Sequence, residues 1–478
     1  MNVRVNLLAI FVLAICSTCA HAQFDTVINL PEDLGSPNPN GFSGNSIGTN
    51  TQLNLSDGGS IGFGFDAGAR DVSSTNVEVN ISGGTIGNSF GAFGGSTINV
   101  SGGRVGSNFT ANSGSTVNIS GGSVGSAYGS DFDAESGSTV NITGGEVGSF
   151  FDANDGSEVN ISGGTVGLRF DAFAGSTVDI SGGTVGDSFT AFDGSTVNIS
   201  GGSVGTGFNA ASGSTVSISG GQFSLNGSTI NDITSPFTLG DGDVFTGALQ
   251  DGSPFIFSPV NFDRLNGINL IETSTATLDN TPQKINTAST LPSLGTGQTL
   301  TVQLGGALGD NFTAVGATLN VESGSVGSNA EIANSEVNVS GGTVGNNFDA
   351  FSGSTINVSG GQIGSFFEAF DGSTVTSREA PSEITSTPKV AARSTSREGW
   401  SKVASTPKVA APSTSREGRS KVASTPKVAA PSISREGQLV VSSTPKVAAR
   451  STSQEGHSEM TSTPPLAARS TSRGGISC

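Results

Sequence analysis

The chain has 478 residues, of which 71 are Gly and 13% are charged, and its formal net charge is −18. Residues 23–375 contain no Cys, His or Trp, which excludes a disulfide scaffold, a Cys/His zinc site and any catalytic triad with a His base. The basic side chains of this region are scattered, so we expect no nucleic-acid partner; they are Arg70, Arg104, Arg169, Arg264 and Lys284.

Residues 1–22 have the pattern of a secretory signal peptide. Arg4 supplies the positive charge, Leu7 begins the apolar core, and Ala20-His21-Ala22 is a small-x-small cleavage site. The apolar run is too short to span a membrane, and no other stretch suits a spanning helix. We therefore predict a secreted protein, extracellular or at the cell surface, that is cleaved after Ala22.

A Pro/Gly/Asn-rich stretch, residues 23–50, follows the signal peptide and is predicted to be an N-terminal lead-in or cap. Residues 51–223 then repeat a unit of 19 residues, typified by G-S-T-V-N-I-S-G-G-T-V-G-x-x-F-D-A. Its Gly doublets recur 19 residues apart except for one step of 23, and they begin at Gly83, Gly102, Gly121, Gly144, Gly163, Gly182, Gly201 and Gly220. A fixed period of this length predicts a solenoid in which each unit is one coil.

Each coil is predicted to consist of three short strands. Val117 and Ile119 alternate with the polar residues Thr116 and Asn118, so the apolar pair faces inward. The doublet that begins at Gly121 forms a corner, a second strand follows it, and an F-D-A segment makes the third. Val, Ile, Thr and Gly are poor helix formers and show no helical period. We therefore predict an all-β fold, a parallel β-solenoid (β-helix) of 19-residue coils.

The repeat lapses after Phe223 and resumes near Gly305. Residues 224–297 are predicted to be an irregular β insert that caps the first stack or bridges to the second. Residues 298–375 are predicted to form the second stack. Open strand edges at the ends of such stacks predict end-to-end self-association.

Residues 376–478 form a basic, Ser/Thr/Pro-rich tail that also has a period of 19. None of the 28 Phe lies in it, so it is predicted to be disordered. Codons for its unit, read one nucleotide back, can encode F-D-A and G-S-T-V-N-I-S-G-G. The exchange of Arg393 for Pro412 in the next unit can be silent in that frame, since ACG and ACC both encode Thr. We interpret the tail as an out-of-frame remnant of the repeat, created by a frameshift near Val375, in preference to a genuine Ser/Thr/Pro-rich stalk.

The frameshift predicts a property of the gene. Nucleotide sequencing should find body-like codons one nucleotide behind the current frame from about Val375 onward, beginning Asn-Ile-Ser-Gly-Gly. Stop codons throughout the stepped-back frame would contradict the interpretation.

One acidic position of the unit is a candidate metal site. Asp133, Asp152 and Asp171 fall on adjacent coils and are predicted to stack about 5 Å apart, where a calcium ion could relieve their repulsion. The alternative is a solvated acidic stripe screened by salt, which we favour because one carboxylate per coil makes a poor calcium cage. No other cofactor is predicted.

Asn residues recur at another position and are predicted to form a ladder of stacked amides, although each also begins an Asn-x-Ser/Thr sequon. They are Asn80, Asn99, Asn118, Asn141, Asn160 and Asn198, with Asp179 in the gap.

The S-T-V-N-I-S-G-G runs at Ser115, Ser138 and Ser195, with their F-D-A segments, resemble the secreted repeat proteins of planctomycete bacteria. The resemblance covers residues 50–375. More distantly, the chain is similar to autotransporter and adhesin-type β-solenoids, which implies surface display or adhesion by analogy.

We therefore predict an exported, acidic, non-enzymatic structural protein of the cell surface or matrix, active in adhesion or aggregation, with a surface or polysaccharide ligand. The alternative is a calcium-dependent carbohydrate-binding or carbohydrate-cleaving solenoid. Cleavage requires paired carboxylates in a cleft, and we detect no one-off acidic cluster that breaks the repeat.

Overall fold

The computed structural model describes residues 24–30, 46–71, 73–125, 132–370 and 372–378, and several separate strands between residues 382 and 472. The predicted signal peptide, 1–22, lies outside the described residues. Across the described ranges the chain is a parallel β-solenoid, which confirms the predicted fold class. No helix in these ranges is long and apolar enough to cross a membrane.

The first stack (stack I) is built on one parallel sheet. Its strands are Thr26–Leu30, Thr51–Leu55, Val77–Ile81, Ser96–Val105, Thr116–Val124, Thr139–Val147, Glu158–Val166, Thr177–Val185, Thr196–Val204 and Thr215–Leu225, with Ser60–Ile61 and Thr85–Ile86 beside them. Thr26–Leu30 pairs with Thr51–Leu55, so the described part of the predicted lead-in already follows the solenoid register. Val117 and Ile119 are buried, as the alternation predicts.

A second parallel sheet carries the F-D-A segments of stack I. Its strands are Ser46–Ile47, Asp66–Ala67, Gly91–Ala92, Phe109–Ala111, Phe132–Ala134, Phe151–Ala153, Phe170–Ala172, Thr190–Ala191, Asn209–Ala210 and Arg264–Leu265. Its Phe side chains point into the core, and successive rings from Phe90 to Phe208 stack with centroids 4.5 to 5.0 Å apart. Each ring therefore depends on the coils above and below it.

The Gly doublet separates two strands, as the sequence predicted, at Gly83, Gly341 and Gly360, but one strand runs through it in the coils from Ser96–Val105 to Thr215–Leu225. Thr116–Val124 is one strand, and its register shifts around the doublet as in a β-bulge. Gly122 has φ +69°, and a Cβ on it would lie 2.6 Å from the carbonyl carbon of Gly102 in the previous coil. The doublet is needed both for its dihedral angle and for the close approach of coils.

Gly164→Ala should therefore lower the free energy of unfolding by about 2 kcal/mol or more. Gly164 has φ +74°, and its Cβ would lie 2.7 Å from a backbone carbon of Gly144. Gly267→Ala is the matched control, because Gly267 has φ +65° with nothing within 4 Å. Urea denaturation should show a clearly smaller loss for the control, and equal losses would show that coil proximity has no role.

The predicted amide ladder is present. Asn80 donates to Asn54, Asn99 to Asn80 and Asn118 to Asn99, at 2.8 to 2.9 Å. The series continues to Asn141 and Asn160, and Asn198 donates to Asp179 at 2.7 Å. The Asn side chains thus connect coils.

The insert caps stack I with an antiparallel hairpin. Phe245–Leu249 pairs antiparallel with residues 220–225 of the strand Thr215–Leu225, while Asn269–Glu272 pairs in parallel with residues 217–220 of that strand. The elements of the insert are Ser228–Thr229, Phe245–Leu249, Pro254–Phe257, the 3-10 turn Pro259–Asn261, Arg264–Leu265 and Asn269–Glu272.

The second stack (stack II) begins at Gln283–Ile285, before the predicted boundary, because this strand pairs with Thr299–Val302. Two parallel sheets form it. One contains Gln283–Ile285, Ser293–Leu294, Thr299–Val302, Thr313–Val315, Thr318–Val321, Glu331–Ala333, Glu336–Val339, Asp349–Ala350, Thr355–Val358, Glu368–Ala369 and Thr374–Arg378. The other contains Ala288–Ser289, Ala307–Leu308, Ser325–Val326, Thr343–Val344 and Gln362–Ile363.

Strands are also described in parts of the tail, where they continue the first of these sheets, and the disorder of the tail stays a prediction. These strands are Ser382–Ser386, Arg393–Ser405, Ser413–Ser424, Pro431–Arg435, Gln438–Ser443, Arg450–Gln454, Ser458–Ser462 and Arg469–Ser472. The tail keeps the 19-residue period, so equivalent residues such as Ser394 and Ser413 pair in parallel register.

Candidate functional site

A cleft of about 480 Å³ lies where stack I, the insert and stack II meet. Turns of stack I at 184–187 and 203–206 form one wall, and the flank of stack II forms the other. Insert residues 260–262 also line it. Pockets at the boundary between structural units are common ligand sites, so we take this cleft as the candidate site.

An apolar contact holds the insert against stack II. Phe351 and Phe370 occupy one outward position on adjacent coils, with ring centroids 4.8 Å apart. They pack with Val244 and Ile256 of the insert in a buried cluster. At the same coil position in stack I, Phe192 is 37% exposed. The insert thus covers this coil position in stack II and leaves it open in stack I. The cleft forms beside this contact between the insert and stack II.

A row of amides follows one edge of the stack II wall. Asn329 donates to Asn311 at 3.0 Å, and Asn347 donates to Asn329 at 2.9 Å. All three have φ between 54° and 61°, a left-handed conformation that Asn tolerates. The next coil has Phe366 at this position, with φ +61°. We call these four residues the corner row.

A row of carboxylates lies two residues further along the last three of these four coils, whereas the first has Thr313 at this position. Glu331 pairs in register with Asp349, and Asp349 pairs with Glu368. Burial, and then the charge of Glu368, raise the pKa of Asp349 to about 7. Burial, and then the charges of Asp263 and other carboxylates, raise the pKa of Glu331 well above its usual range.

The insert and stack I bring further polar groups to the cleft. Asn261 donates from Nδ2 to Oε1 of Glu331 at 2.8 Å. Asp187 of stack I lines the opposite wall and accepts the backbone N–H of Thr206 at 2.9 Å. Asp263 is buried just behind the cleft, where it accepts the backbone N–H of Phe208 at 2.9 Å. Burial raises the pKa of Asp263 to about 7.

Two aromatic side chains in the cleft are open to solvent. Phe262 is 80% exposed and Phe366 is 67% exposed, and both line the cleft. Phe262 has φ +66° at the end of the 3-10 turn. A bulky residue in the left-handed region is rare, and neither ring gains a buried contact that offsets the strain. Both rings are therefore available to a ligand.

The predicted acidic positions lie elsewhere. Asp133, Asp152 and Asp171 stand in register on adjacent strands of stack I, outside the cleft lining. Burial raises the pKa of Asp171, while a hydrogen bond from Thr190 and the charge of Arg169 lower it. Among the residues that the structure describes, no three His, Cys, Asp or Glu are grouped to hold a metal ion. The calcium ladder stays a prediction.

The raised pKa of Asp349 predicts the direction of a pH effect. The folded state retains this proton between the ordinary pKa, 3.8, and about 7, so its contribution to stability falls as pH rises through that window. Asp349→Asn should therefore raise the melting temperature more at pH 8 than at pH 5. Asp193→Asn, at an exposed carboxylate outside the cleft, is the calorimetric control. A gain for Asp349→Asn that is the same at both pH values would contradict the assignment.

Comparisons with known proteins do not assign this chain to a family. No family model matches the sequence, and no curated protein is similar to it. A solved structure of a TibA fragment, hyper-glycosylated by TibC, aligns over 86% of this chain and 100% of its own, at 13% identity and a TM-score of 0.19. A likeness this weak carries no argument about function.

Proposed function

We propose that the protein is an exported, non-enzymatic structural protein of the cell surface or matrix that binds a saccharide in the cleft between its stacks. The signal-peptide pattern of residues 1–22 supports export, and the long solenoid supports a scaffold role. The observation that carries the binding proposal is the pair of exposed rings, Phe262 and Phe366, beside the amide and carboxylate rows.

The chemistry of a sugar ring suits this arrangement. One face of a pyranose is lined by C–H groups, which pack on an aromatic ring, and its hydroxyls donate and accept hydrogen bonds around the rim. Phe262 and Phe366 offer the aromatic surface. The amides of the corner row and the carboxylates Glu331, Asp349 and Glu368 offer donors and acceptors within the same cleft.

Binding is favoured over cleavage because of how the carboxylates are arranged. Glycoside hydrolysis uses two carboxyl groups that flank the scissile bond. Glu331, Asp349 and Glu368 instead follow one another along adjacent strands of one wall, and Asp187 on the opposite wall is engaged by the backbone N–H of Thr206. This cluster was not expected from the sequence, and its form is that of a hydrogen-bonding surface. Calcium-dependent binding or cleavage remains the alternative.

A polysaccharide-binding panel with the full chain tests the proposal. The double variant Phe262→Ala/Phe366→Ala should bind at least about tenfold more weakly, since each stacking ring contributes on the order of 1 kcal/mol. Phe63→Ala is the matched control, because Phe63 is 74% exposed and lies outside the cleft lining. Equal binding by both variants would refute the site. Calcium dependence, or release of reducing ends, would favour the alternative.

We also propose end-to-end self-association as part of the matrix role. Equivalent strands of successive coils pair in parallel register, as Thr26–Leu30 does with Thr51–Leu55. An open parallel edge can pair with another chain. Light scattering should show a mass that increases with concentration; a monomer at all concentrations would contradict the proposal.

A further inference from the structure

The acidic lining of the cleft indicates which class of saccharide it binds. Four carboxylates line it, Asp187, Glu331, Asp349 and Glu368, and no Lys or Arg is among the described residues of its lining. Burial and mutual proximity raise the pKa of Asp349 and of Glu331, which favours their protonated forms in the empty cleft. An anionic sugar such as a uronate would add negative charge to this cleft, whereas a ligand with positive charge would stabilise the ionised carboxylates and take the place of their protons.

Stack I shows how a cation fits this coil architecture. Phe150 has φ +60° and Arg169, on the next coil, has φ +59°, so both occupy the corner position that Phe366 occupies in stack II. The guanidinium carbon of Arg169 lies 5.2 Å from the centroid of the Phe150 ring, and its charge also acts on Asp171. A cation at this position therefore lies over an aromatic ring and close enough to a carboxylate two residues along the coil for its charge to act on that carboxylate.

The same two groups recur in the cleft, where the ring is open. Phe366 takes the place of Phe150, and Glu368, two residues later, takes the place of a coil carboxylate. The ring of Phe366 is 67% exposed, so an ammonium group from a ligand has room over it. Phe262 offers a second open ring within the same cleft.

We propose that the cleft selects a saccharide with free amino groups over its N-acetylated and uronic acid counterparts. The proposal rests on the saccharide-binding function above and names the ligand class. Protonated amines contact Phe366 together with Asp349 and Glu368, while hydroxyls of the sugar contact the amides of the corner row.

Isothermal titration of the full chain at pH 6.5 tests the selection with three probes of equal length. These are oligomers of glucosamine, of N-acetylglucosamine and of galacturonic acid. We expect the glucosamine oligomer to bind at least about tenfold more tightly than the N-acetylated one, and the preference to shrink at 1 M salt because the contact is electrostatic. The galacturonic acid oligomer should bind most weakly.

Variants separate this inference from the proposed function. Asp349→Asn/Glu368→Gln should weaken glucosamine binding by a larger factor than N-acetylglucosamine binding, so that the two oligomers bind alike. Phe262→Ala/Phe366→Ala should weaken both. Circular dichroism melting establishes that each variant is folded. Equal binding of the glucosamine and N-acetylglucosamine oligomers would overturn the amine selection and leave saccharide binding standing, whereas no binding of any of the three by the wild type would overturn both.

Discussion

Phe170→Asp should lower the free energy of unfolding of stack I by more than about 3 kcal/mol. Phe170 is fully buried between Phe151 and Phe189, with ring centroids 4.7 and 4.9 Å away. Removing a buried Phe side chain costs about 3–5 kcal/mol, and a buried unpaired carboxylate adds to that cost. The defect reaches two neighbouring coils because one ring contacts both.

Thr196→Asp is the control for this prediction. Thr196 faces outward from the first sheet, and its strand neighbours in register are Thr177 and Thr215, so the new carboxylate meets no other acid there. Chemical denaturation of both variants should show a large shift for Phe170→Asp and a shift within about 0.5 kcal/mol for Thr196→Asp. Similar shifts would refute the inward and outward assignment of the coil.

Phe351→Ala should detach stack II from the insert and abolish saccharide binding while stack I stays folded. Phe351 is completely buried, and it packs with Phe370, Val244 and Ile256 in the cluster that seats the insert. Its truncation should cost about 3–5 kcal/mol. Because the cleft walls belong to separate stacks, loss of this contact moves the walls apart.

Hydrogen exchange provides the measurement for Phe351→Ala. Protection should fall in Phe245–Leu249 and Pro254–Phe257 and persist in the strands of stack I before residue 200. Phe173→Ala is the matched control, because Phe173 has the same coil position in stack I and stacks on Phe192 without cover from the insert. Unchanged protection of the hairpin together with retained binding would contradict the role given to this contact.

The repeat predicts which side chains of each coil face inward, but it does not predict which residues line the cleft. Val117, Ile119 and the Phe of each F-D-A segment face inward because a residue pattern with period 2 and a coil with period 19 fix every side chain relative to its copies. The amide ladder follows from the same periodicity. Asp349 shares the predicted acidic position, and Glu331 and Glu368 could have been found by extending that position to Glu.

The remaining differences have local or long-range causes. The doublet at Gly121 bends a continuous strand because paired coils continue the backbone ladder through the corner. Asp187 of stack I and Phe262 of the insert lie opposite stack II because the chain reverses direction in the insert. The sequence of the insert is not periodic, so it does not predict this arrangement. The chain order of these residues contains no sign that they share a cleft.

The most direct test of the saccharide site is a crystal structure of the full chain soaked with the oligosaccharide that the binding panel selects. The account predicts sugar density in the cleft, with a ring face packed on Phe262 or Phe366 and hydroxyl or amino groups within hydrogen-bond distance of Asp349 or Glu368. Sugar density on the outer face of stack I, with the cleft filled by solvent alone, would contradict it.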